Sequence, residues 1–271
     1  MMVKPMTPNE TVTRTPPVLR GEILGWLKEA GHIALHKQGF GISYKEDGTP
    51  VTTVDEKIEA FLLEQVARVT PGYRVLSEER GSLAGDDEFL WVIDPLDGTR
   101  AYASGLPIWS ISIGLLQRER PVAGAVYLPA IGDIYWADAT GAFCNDQRIS
   151  PRRNLGLDDP LAFVAVPSNA HRLYDIDLPR VRSLGSTAVH LIYAATSTAI
   201  GVLTRNVRIW DVAGALPFFE HAGVSAIYLS GAPFVIAPLL TGEPLPEPLV
   251  IGRTELLPDI RLRIRRKQGA I

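Results

Sequence analysis

Residues 91–100 read WVIDPLDGTR, an apolar run that leads directly into two carboxylates three positions apart. The apolar stretch 89–93 has the length and composition of a buried strand, which we predict to end at Asp94. Pro95 fixes its own φ and has no N–H, so we expect a sharp turn that brings Asp94 and Asp97 to one side. The segment therefore predicts a strand that delivers a pair of acids to one edge of a sheet.

The turn after this strand combines an acid with two candidate phosphate ligands. Asp97 is a candidate helix N-cap, which would place the amides of Gly98 and Thr99 at a helix N-terminus. Such amides bind phosphate, but carboxylates and phosphate repel one another unless cations lie between them. Hard oxygen ligands beside a phosphate favour Mg²⁺. Asp-Gly-Thr is also a common turn sequence, so the fragment alone does not separate a site from a surface loop.

Three further acids lie where predicted elements begin or end. Glu78 follows the predicted strand 73–76, and Asp55 opens the predicted helix 54–69. Asp211 comes directly before another predicted helix. Each alone is typical of a helix cap or a surface charge. Five acids at element boundaries are harder to explain that way, and five carboxylates close together cannot all stay ionised without cations.

The overall composition is that of a globular protein. The 271 residues include 27 Lys and Arg against 30 Asp and Glu, and 46% are apolar. A net charge of −3 without a basic block argues against nucleic acid or an anionic membrane as the main partner. No apolar run reaches the roughly 18–20 residues of a membrane span.

The single cysteine and the first residues suggest a location. Cys144 stands alone, which excludes an internal disulfide framework and favours a reducing compartment. Residues 1–17 lack the apolar core of a signal peptide, and we expect them to form a mobile tail. Both observations predict a cytoplasmic protein.

The predicted elements change character near residue 150. Residues 18–150 combine two amphipathic helices with an antiparallel meander, whereas residues 151–271 alternate strands with apolar helices. We expect an α+β fold of sheets layered with helices, made of an N-terminal α+β subdomain that carries most of the acids and a C-terminal α/β subdomain that completes the site.

Local patterns predict the structure of four further segments. Residues 39–50 are predicted to form a polar loop. Residues 187–203 predict one mostly apolar helix, and residues 212–222 predict a shorter helix that Pro217 kinks or bounds. Residues 233–237 predict a strand.

Separate motifs carry a resemblance to a known family. They are DPLDGT at 94–99, SEE at 77–79 and WDVAGA at 210–215, together with KEDGTPVTTVD at 45–55 and RSLGST at 182–187. In this order and spacing they resemble the inositol monophosphatase family over about residues 18–237. The resemblance implies a layered αβαβα sandwich and a Mg²⁺-dependent, lithium-sensitive phosphatase that is often a homodimer.

The resemblance also implies a role for each boundary acid. The implied ligands of two or three Mg²⁺ ions are Glu78, Asp94, the Leu96 carbonyl, Asp97 and Asp211. Asp55 and Thr99 correspond to the catalytic pair that positions and activates water, and the amides of Gly98 and Thr99 correspond to the phosphate ligands. The implied reaction is direct attack of metal-activated water on a phosphate monoester, without a phosphoenzyme.

The substrate is less defined. The implied substrate contacts are Gly185, Ser186, Thr187 and Thr204. Thr204 stands where inositol-selective members have a glutamate for the ring hydroxyls, so a charge-assisted acceptor for a polyol is missing. Arg205 and Arg208 suit either a second phosphate or a solvated basic turn. Arg100 also occurs in relatives that act on other phosphate esters.

Three functions therefore stay open. The first is hydrolysis of a small polyol, sugar or alcohol phosphate, such as an inositol monophosphate. The second is a 3′(2′),5′-bisphosphate nucleotidase or histidinol-phosphate phosphatase. The third is a non-catalytic binding homologue, although such a module has no need to keep so costly a charge cluster. The sequence contains no Gly-x-Ser-x-Gly elbow and no P-loop, so serine hydrolases and P-loop NTPases lack support.

Overall fold

The computed structural model describes residues 19–36, 41–45, 48–150 and 155–269, so the predicted tail over 1–17 lies outside the described residues. The first elements are α1 (Arg20–His36), β1 (Ile42–Tyr44), β2 (Pro50–Thr52) and α2 (Thr53–Val69). Both helices lie where the apolar spacing predicts them. The predicted loop over 39–50 is wrong in its described part, because β1 and β2 pair as an antiparallel hairpin. The residues of β1 are all exposed, so no apolar pattern marks the strand in the sequence.

A largely antiparallel sheet of eight strands forms the first half of the fold. Its strands are β3 (Tyr73–Ser77), β4 (Gly81–Leu83), β5 (Asp86–Asp97), β6 (Ser110–Gln117), β7 (Arg120–Leu128), β8 (Asp133–Asp138), β9 (Gly141–Cys144) and β10 (Gln147–Arg148). Their order across the sheet is β10-β9-β8-β7-β6-β5-β3-β4. The predicted meander is confirmed in β6, β7 and β8, which pair in sequence. A short helix, α3 (Thr99–Ala103), follows β5.

The second half contains a smaller mixed sheet surrounded by helices. Its strands and helices, in chain order, are β11 (Val164–Ala165), α4 (Ala170–Leu173), β12 (Tyr174–Ile176), β13 (Val181–Arg182), α5 (Thr187–Ala195), β14 (Gly201–Leu203), α6 (Ile209–Ala213), α7 (Pro217–Ala222), β15 (Val224–Tyr228), β16 (Leu249–Arg253), α8 (Leu257–Leu262) and β17 (Ile264–Arg266). Five strands pair in the order β13-β11-β14-β16-β15, and β12 pairs with β17. Within the described ranges, no helix is both long and apolar enough to cross a membrane.

The predicted helix over 187–203 is too long. Helix α5 ends at Ala195, Ser197 adopts a left-handed φ of 57°, and the chain continues as β14. Both segments are almost entirely buried, so an apolar run here does not distinguish helix from strand.

Two prolines explain the other differences in this half. Pro217 bounds rather than kinks the predicted helix over 212–222, because it begins α7, where a helix needs no N–H donor. The predicted strand over 233–237 is wrong. Pro233 makes only an isolated bridge to Ile227, and a 3₁₀ turn follows at Ala237–Thr241.

Successive side chains of each strand point to opposite faces of the sheet and so pack into different layers. On β5, Trp91 and Ile93 face a core that includes α1 and α2, whereas Leu90 and Val92 face a core shared with α5 and α6. A third core, which includes Ile260 of α8, covers the opposite side of the five-stranded sheet. Helix and sheet layers therefore alternate, and the predicted αβαβα sandwich is confirmed. The division into subdomains at residue 150 stays a prediction.

Candidate active site

Three carboxylates converge at the end of β5. Asp94 and Asp97 lie on β5 and Asp211 lies on α6, and one oxygen atom of each lies within 4.8 Å of the other two. The predicted strand end at Asp94 is wrong, because the strand continues to Asp97 and both acids pair with β6. Residues three apart on a regular strand face opposite sides. A register shift between the two acids corrects this alternation, so both reach the same site.

Helix α6 lies directly on the backbone of the large sheet. A Cβ added at Gly214 would lie 2.7 Å from the Ala125 carbonyl oxygen, and one at Gly114 would lie 2.7 Å from the Ala213 backbone. These positions leave no room for a side chain, which explains the small residues that follow the aspartate in WDVAGA. The close approach of helix and sheet places Asp211 beside the acids of β5.

Asp97 is held by the N-terminus of α5. Its Oδ2 atom accepts hydrogen bonds from the Ala188 N–H at 2.7 Å and from the Ser186 hydroxyl. The predicted role of Asp97 as an N-cap is therefore wrong. The cap of α3 is Gly98, whose φ of 90° glycine adopts without strain. A Cβ at this position would also lie 2.7 Å from the Gly185 carbonyl oxygen.

Asp55 and Thr99 form a hydrogen-bonded pair beside this cluster. The hydroxyl of Thr99 lies 3.2 Å from Asp55 Oδ1 and 3.0 Å from the Leu96 carbonyl oxygen. Asp55 Oδ2 accepts the Thr52 N–H at 2.9 Å, and the Thr52 hydroxyl oxygen accepts the Asp55 N–H at 3.4 Å, so the two residues form the capping box of α2. The Thr52 hydroxyl also donates to Asp55 Oδ2. The start of α2 thus fixes the orientation of Asp55 toward Thr99.

Glu78 follows β3 and pairs with a lysine of the β1–β2 hairpin. The Nζ atom of Lys45 lies 2.9 Å from Glu78 Oε1 and 2.8 Å from Glu79 Oε1. Burial lowers the pKa of Lys45, but the two carboxylates outweigh it and raise the pKa above its ordinary value. Burial raises the pKa of Glu79 to about 7 despite the ammonium group. A cation bound at Glu78 would therefore compete with Lys45.

Sequence reasoning missed two charged residues of this region. It gave no role to Lys45, and it did not identify Glu59. The carboxylate of Glu59 is buried and accepts the N–H groups of Glu79 at 3.0 Å and Arg80 at 3.1 Å, so it shapes the turn that carries Glu78. The signal is present, because an acid on the apolar face of an amphipathic helix indicates a specific partner.

Burial raises the pKa of each clustered carboxyl group. The pKa values of Asp94 and Asp211 lie well above the ordinary value, first through burial and then through the neighbouring carboxylates. Burial also raises the pKa of Asp97 to about 6, although hydrogen bonds from Ser186 and the α5 amides lower it. The pKa of Asp55 is raised by burial, against its capping hydrogen bonds. Desolvated anions at this density require protons or a cation.

The donor set fits a divalent metal ion. The atoms that converge are carboxylate oxygens, and the Leu96 carbonyl lies on the same turn, so the ligands are of the hard type that Mg²⁺ prefers. Bound metal would reverse the pKa shifts of the acids by compensating their charge. The cluster can therefore hold a metal.

A cavity of about 160 Å³, called the inner cavity below, opens beside the cluster. The predicted substrate contacts that line it are Gly185, Ser186, Thr187 and Thr204. Two of these side chains also have partners within the protein. Ser186 donates to Asp97, and the Thr204 hydroxyl accepts the Leu249 N–H at 3.3 Å. The structure thus brings the four positions together around one cavity, and Ser186 connects that cavity to Asp97.

The three arginines whose function the sequence leaves undecided lie in different surroundings. Arg208 donates to the Gly242 carbonyl at 2.7 Å, and its guanidinium group lies 5.5 Å from the Trp210 ring, so the protein itself holds it. Arg100 lies 3.5 Å from the Gly48 carbonyl of the hairpin turn. Arg205 lines the inner cavity.

Comparison with known proteins finds a matching family and several relatives. The inositol monophosphatase family model matches residues 23–245. The fructose-1,6-bisphosphatase/inositol-1-monophosphatase of Aquifex aeolicus is 32% identical over 225 residues, which cover 76% of this chain and 84% of the relative. The inositol-1-monophosphatase of Mesorhizobium japonicum is 32% identical over 198 residues, which cover 69% of this chain and 74% of the relative.

A solved structure shows the same fold. The crystal structure of the extragenic suppressor protein SuhB from Bartonella henselae matches with a TM-score of 0.79 at 22% identity, and the match covers 90% of this chain and 97% of that one. The family match, the two relatives and the shared fold lead to one conclusion: the chain belongs to the inositol monophosphatase family, whose members are phosphoric monoester hydrolases.

Proposed function

We propose that the protein is a Mg²⁺-dependent phosphatase that hydrolyses a small phosphate monoester by direct attack of water. The observation that carries the proposal is the convergence of Asp94, Asp97 and Asp211 within 4.8 Å, the first two of them buried and the third half-buried. Buried acids that repel one another are costly unless they bind cations, so the cluster has a use only when it is loaded.

The proposed ligands of two or three Mg²⁺ ions are Glu78, Asp94, the Leu96 carbonyl, Asp97 and Asp211. Bound Mg²⁺ would neutralise these oxygens and the phosphate and would lower the pKa of a coordinated water. The β3 and β5 ends hold four of these ligands and α6 holds the fifth, so the site depends on the packing of that helix.

Asp55 and Thr99 are the proposed catalytic pair. The Thr99 hydroxyl can donate its proton to Asp55 Oδ1, 3.2 Å away. Its oxygen lone pairs are then free to accept a hydrogen bond from the attacking water, and Asp55 receives the proton through this contact. Because the capping box holds the other oxygen of Asp55, the carboxylate is already oriented for this step.

The amides of Gly98 and Thr99 are the proposed phosphate ligands. Gly98 adopts a left-handed conformation at the start of α3, and both residues directly follow the acids of β5. N–H donors at this turn would bind the phosphate oxygens beside the metal ligands.

The proposed substrate is an inositol monophosphate-like polyol, sugar or alcohol phosphate, with Gly185, Ser186, Thr187 and Thr204 around the leaving group. The Aquifex aeolicus and Mesorhizobium japonicum relatives are named for inositol monophosphate and, in one case, fructose 1,6-bisphosphate. A 3′(2′),5′-bisphosphate nucleotidase or histidinol-phosphate phosphatase is the alternative. We further propose a homodimer located in the cytoplasm.

Phosphate release with Mg²⁺ and with EDTA tests the activity. The panel is inositol 1-phosphate, histidinol phosphate, fructose 1,6-bisphosphate and 3′-phosphoadenosine 5′-phosphate, compared by kcat/KM. We expect Mg²⁺-dependent release that lithium inhibits, and a loss of about 10³-fold or more in Asp94→Asn. The control Asp175→Asn changes an exposed acid and should retain activity. Metal-independent turnover, or full activity in Asp94→Asn, would contradict the proposal. A correctly folded protein that hydrolyses none of these substrates would favour a binding homologue.

A further inference from the structure

Each aspartate of β5 lies directly opposite a serine of β6. In the register of the two strands, Asp97 pairs with Ser110 and Asp94 pairs with Ser112. The side chains of residues paired in this way lie on the same face of a sheet, with Cβ atoms about 4.5–5.5 Å apart. Each acid of β5 therefore has a hydroxyl group as its neighbour on β6.

The two serines face the helix that carries Asp211. Ile111 and Ile113 alternate with them along β6 and belong to the core on the α1 and α2 side of the sheet. The serine side chains consequently point to the opposite face, toward α6. A Cβ added at Gly214, the residue that follows α6, would meet the hydroxyl oxygen of Ser112. This hydroxyl therefore lies between the sheet and the end of α6.

The hydroxyl group opposite Asp97 takes part in a hydrogen-bond chain. Ser110 Oγ lies 3.1 Å from Ser186 Oγ, and the Ser186 hydroxyl donates to Asp97. All three side chains are buried. Ser110 thus supports the orientation of Asp97 through one intermediate residue.

Ser112 has no such partner. Its side chain is 1% exposed, and no donor or acceptor among the described residues bonds to its Oγ atom. A buried hydroxyl group without a partner destabilises the folded protein, because it has lost its hydrogen bonds to water. The contacts within the protein therefore give this hydroxyl group no role.

The neighbouring Asp94 has an oxygen atom that lacks a donor. Its Oδ1 atom accepts the Leu96 N–H at 3.0 Å, and within the described parts of the chain no protein group donates to Oδ2. Carboxylates that bind metal ions are usually held in place by hydrogen-bond donors around them. Ser112 is the residue directly opposite Asp94 and has a free hydroxyl group that could be such a donor.

We propose that Ser112 is a positioning residue whose hydroxyl group donates a hydrogen bond to Asp94, directly or through one bound water, and orients this carboxylate toward the metal ion. The inference rests on the proposed function, because it takes Asp94 as a metal ligand. A hydrogen bond to an ionised carboxylate is stronger than one to a neutral group, so the hydroxyl contributes most when the acid cluster holds its cations.

Ser112→Ala separates this role from a purely structural one. In EDTA we expect the melting temperature of the variant to equal or exceed that of the wild type, because a methyl group replaces a buried hydroxyl that has no partner. The Mg²⁺ concentration at half-saturation, measured by tryptophan fluorescence, should rise by about 10- to 100-fold. A residue that served packing alone would show the reverse, with a lower melting temperature and unchanged Mg²⁺ binding.

The matched control is Ser77→Ala. Ser77 is also buried, and its hydroxyl group also lacks a partner. It pairs with Ile93, however, and so faces the α1 and α2 side of the sheet rather than α6. We expect the melting temperature in EDTA to respond as in Ser112→Ala, whereas Mg²⁺ binding stays within about twofold of the wild type.

Two results would overturn the inference alone. One is unchanged Mg²⁺ binding in Ser112→Ala, and the other is an equal loss of Mg²⁺ binding in Ser112→Ala and Ser77→Ala. A wild-type protein that binds no Mg²⁺ would instead overturn the proposed function, and the inference with it.

Discussion

The ammonium group of Lys45 lies 2.9 Å from a carboxylate oxygen of Glu78, the residue proposed as a metal ligand on β3. The hairpin that carries this lysine therefore places a positive charge where a divalent ion would bind. A metal ion that binds at Glu78 must either displace the ammonium group or bind against its repulsion. Both lower the affinity for the ion.

Lys45→Gln should therefore strengthen Mg²⁺ binding. We expect the Mg²⁺ concentration at half-saturation to fall by about 2- to 10-fold, because a partly buried repulsive charge is removed. A Mg²⁺ titration followed by tryptophan fluorescence measures it. Lys28→Gln, an exposed lysine on α1, is the control and should not change the titration. Weaker Mg²⁺ binding in Lys45→Gln would mean that the lysine supports the site rather than competing with the ion.

The raised pKa values of the aspartates predict how pH affects the metal-free protein. In the unfolded chain the pKa of an aspartate is near 3.8. In the folded protein the pKa of Asp97 is about 6, and the pKa values of Asp94 and Asp211 are also raised above the ordinary value. Above 3.8 the folded state therefore binds more protons than the unfolded state, and the free energy of unfolding falls as pH rises.

In EDTA we expect the melting temperature to be lower at pH 8 than at pH 5, by about 5 °C or more. Added Mg²⁺ should raise it at pH 8. Asp94→Asn removes one of the repelling charges, so this variant should melt higher than the wild type in EDTA at pH 8 while responding less to Mg²⁺. Equal melting temperatures at the two pH values in EDTA would contradict the coupling of these acids.

Local sequence signals predicted the layers of the fold and the chemistry of the site. The apolar run before Asp94, the capping position of Asp55 and the spacing of the meander strands are visible in neighbouring residues, because helix and strand periodicity depend on local side chains. They predicted sheets layered with helices and the convergence of Asp94 and Asp97. The αβαβα sandwich and the addition of Asp211 to these acids were instead implied by the resemblance to the inositol monophosphatase family, and the structure brings the three acids together.

The contacts that position these residues depend on distant parts of the chain. The hydrogen bond from α5 to Asp97 joins residues 91 positions apart, and the pair Lys45–Glu78 joins residues 33 positions apart. The β-bulge at Pro95 also depends on pairing with β6, so the local sequence suggested a turn where the strand continues. Such features depend on tertiary packing between distant residues. Local patterns in a single sequence do not show which distant residues come into contact.

The close packing of α6 on the sheet predicts a strong effect of a small substitution. Gly214→Ala places a methyl group 2.7 Å from the Ala125 carbonyl oxygen, so the helix must move away from the sheet and carry Asp211 with it. We expect a melting temperature lower by about 4 °C or more and weaker Mg²⁺ binding. The control Gly25→Ala on α1 has no atom within 4 Å of the added methyl and should be neutral or slightly stabilising. Unchanged Mg²⁺ binding in Gly214→Ala would show that Asp211 tolerates the shift.

Ser186 offers a test of whether its hydroxyl serves the acid cluster or the substrate. The hydroxyl donates to Asp97 and accepts the Val189 N–H at 3.1 Å, so it both lowers the pKa of Asp97 and caps α5. Ser186→Ala should cost about 1 kcal/mol of stability through the lost cap. It should also raise the pKa of Asp97, so the acid limb of the kcat/KM profile at subsaturating Mg²⁺ moves to higher pH, because protons then compete better with the metal.

The comparison that separates the two roles is Ser168→Ala, which removes another hydroxyl from the inner cavity wall. If Ser186 acts through Asp97, Ser186→Ala changes how kcat/KM depends on Mg²⁺ and pH but leaves KM at saturating Mg²⁺ within about twofold. The control Ser168→Ala then changes KM alone or has no effect. A raised KM with an unaltered pH profile in Ser186→Ala would assign the hydroxyl to the leaving group instead.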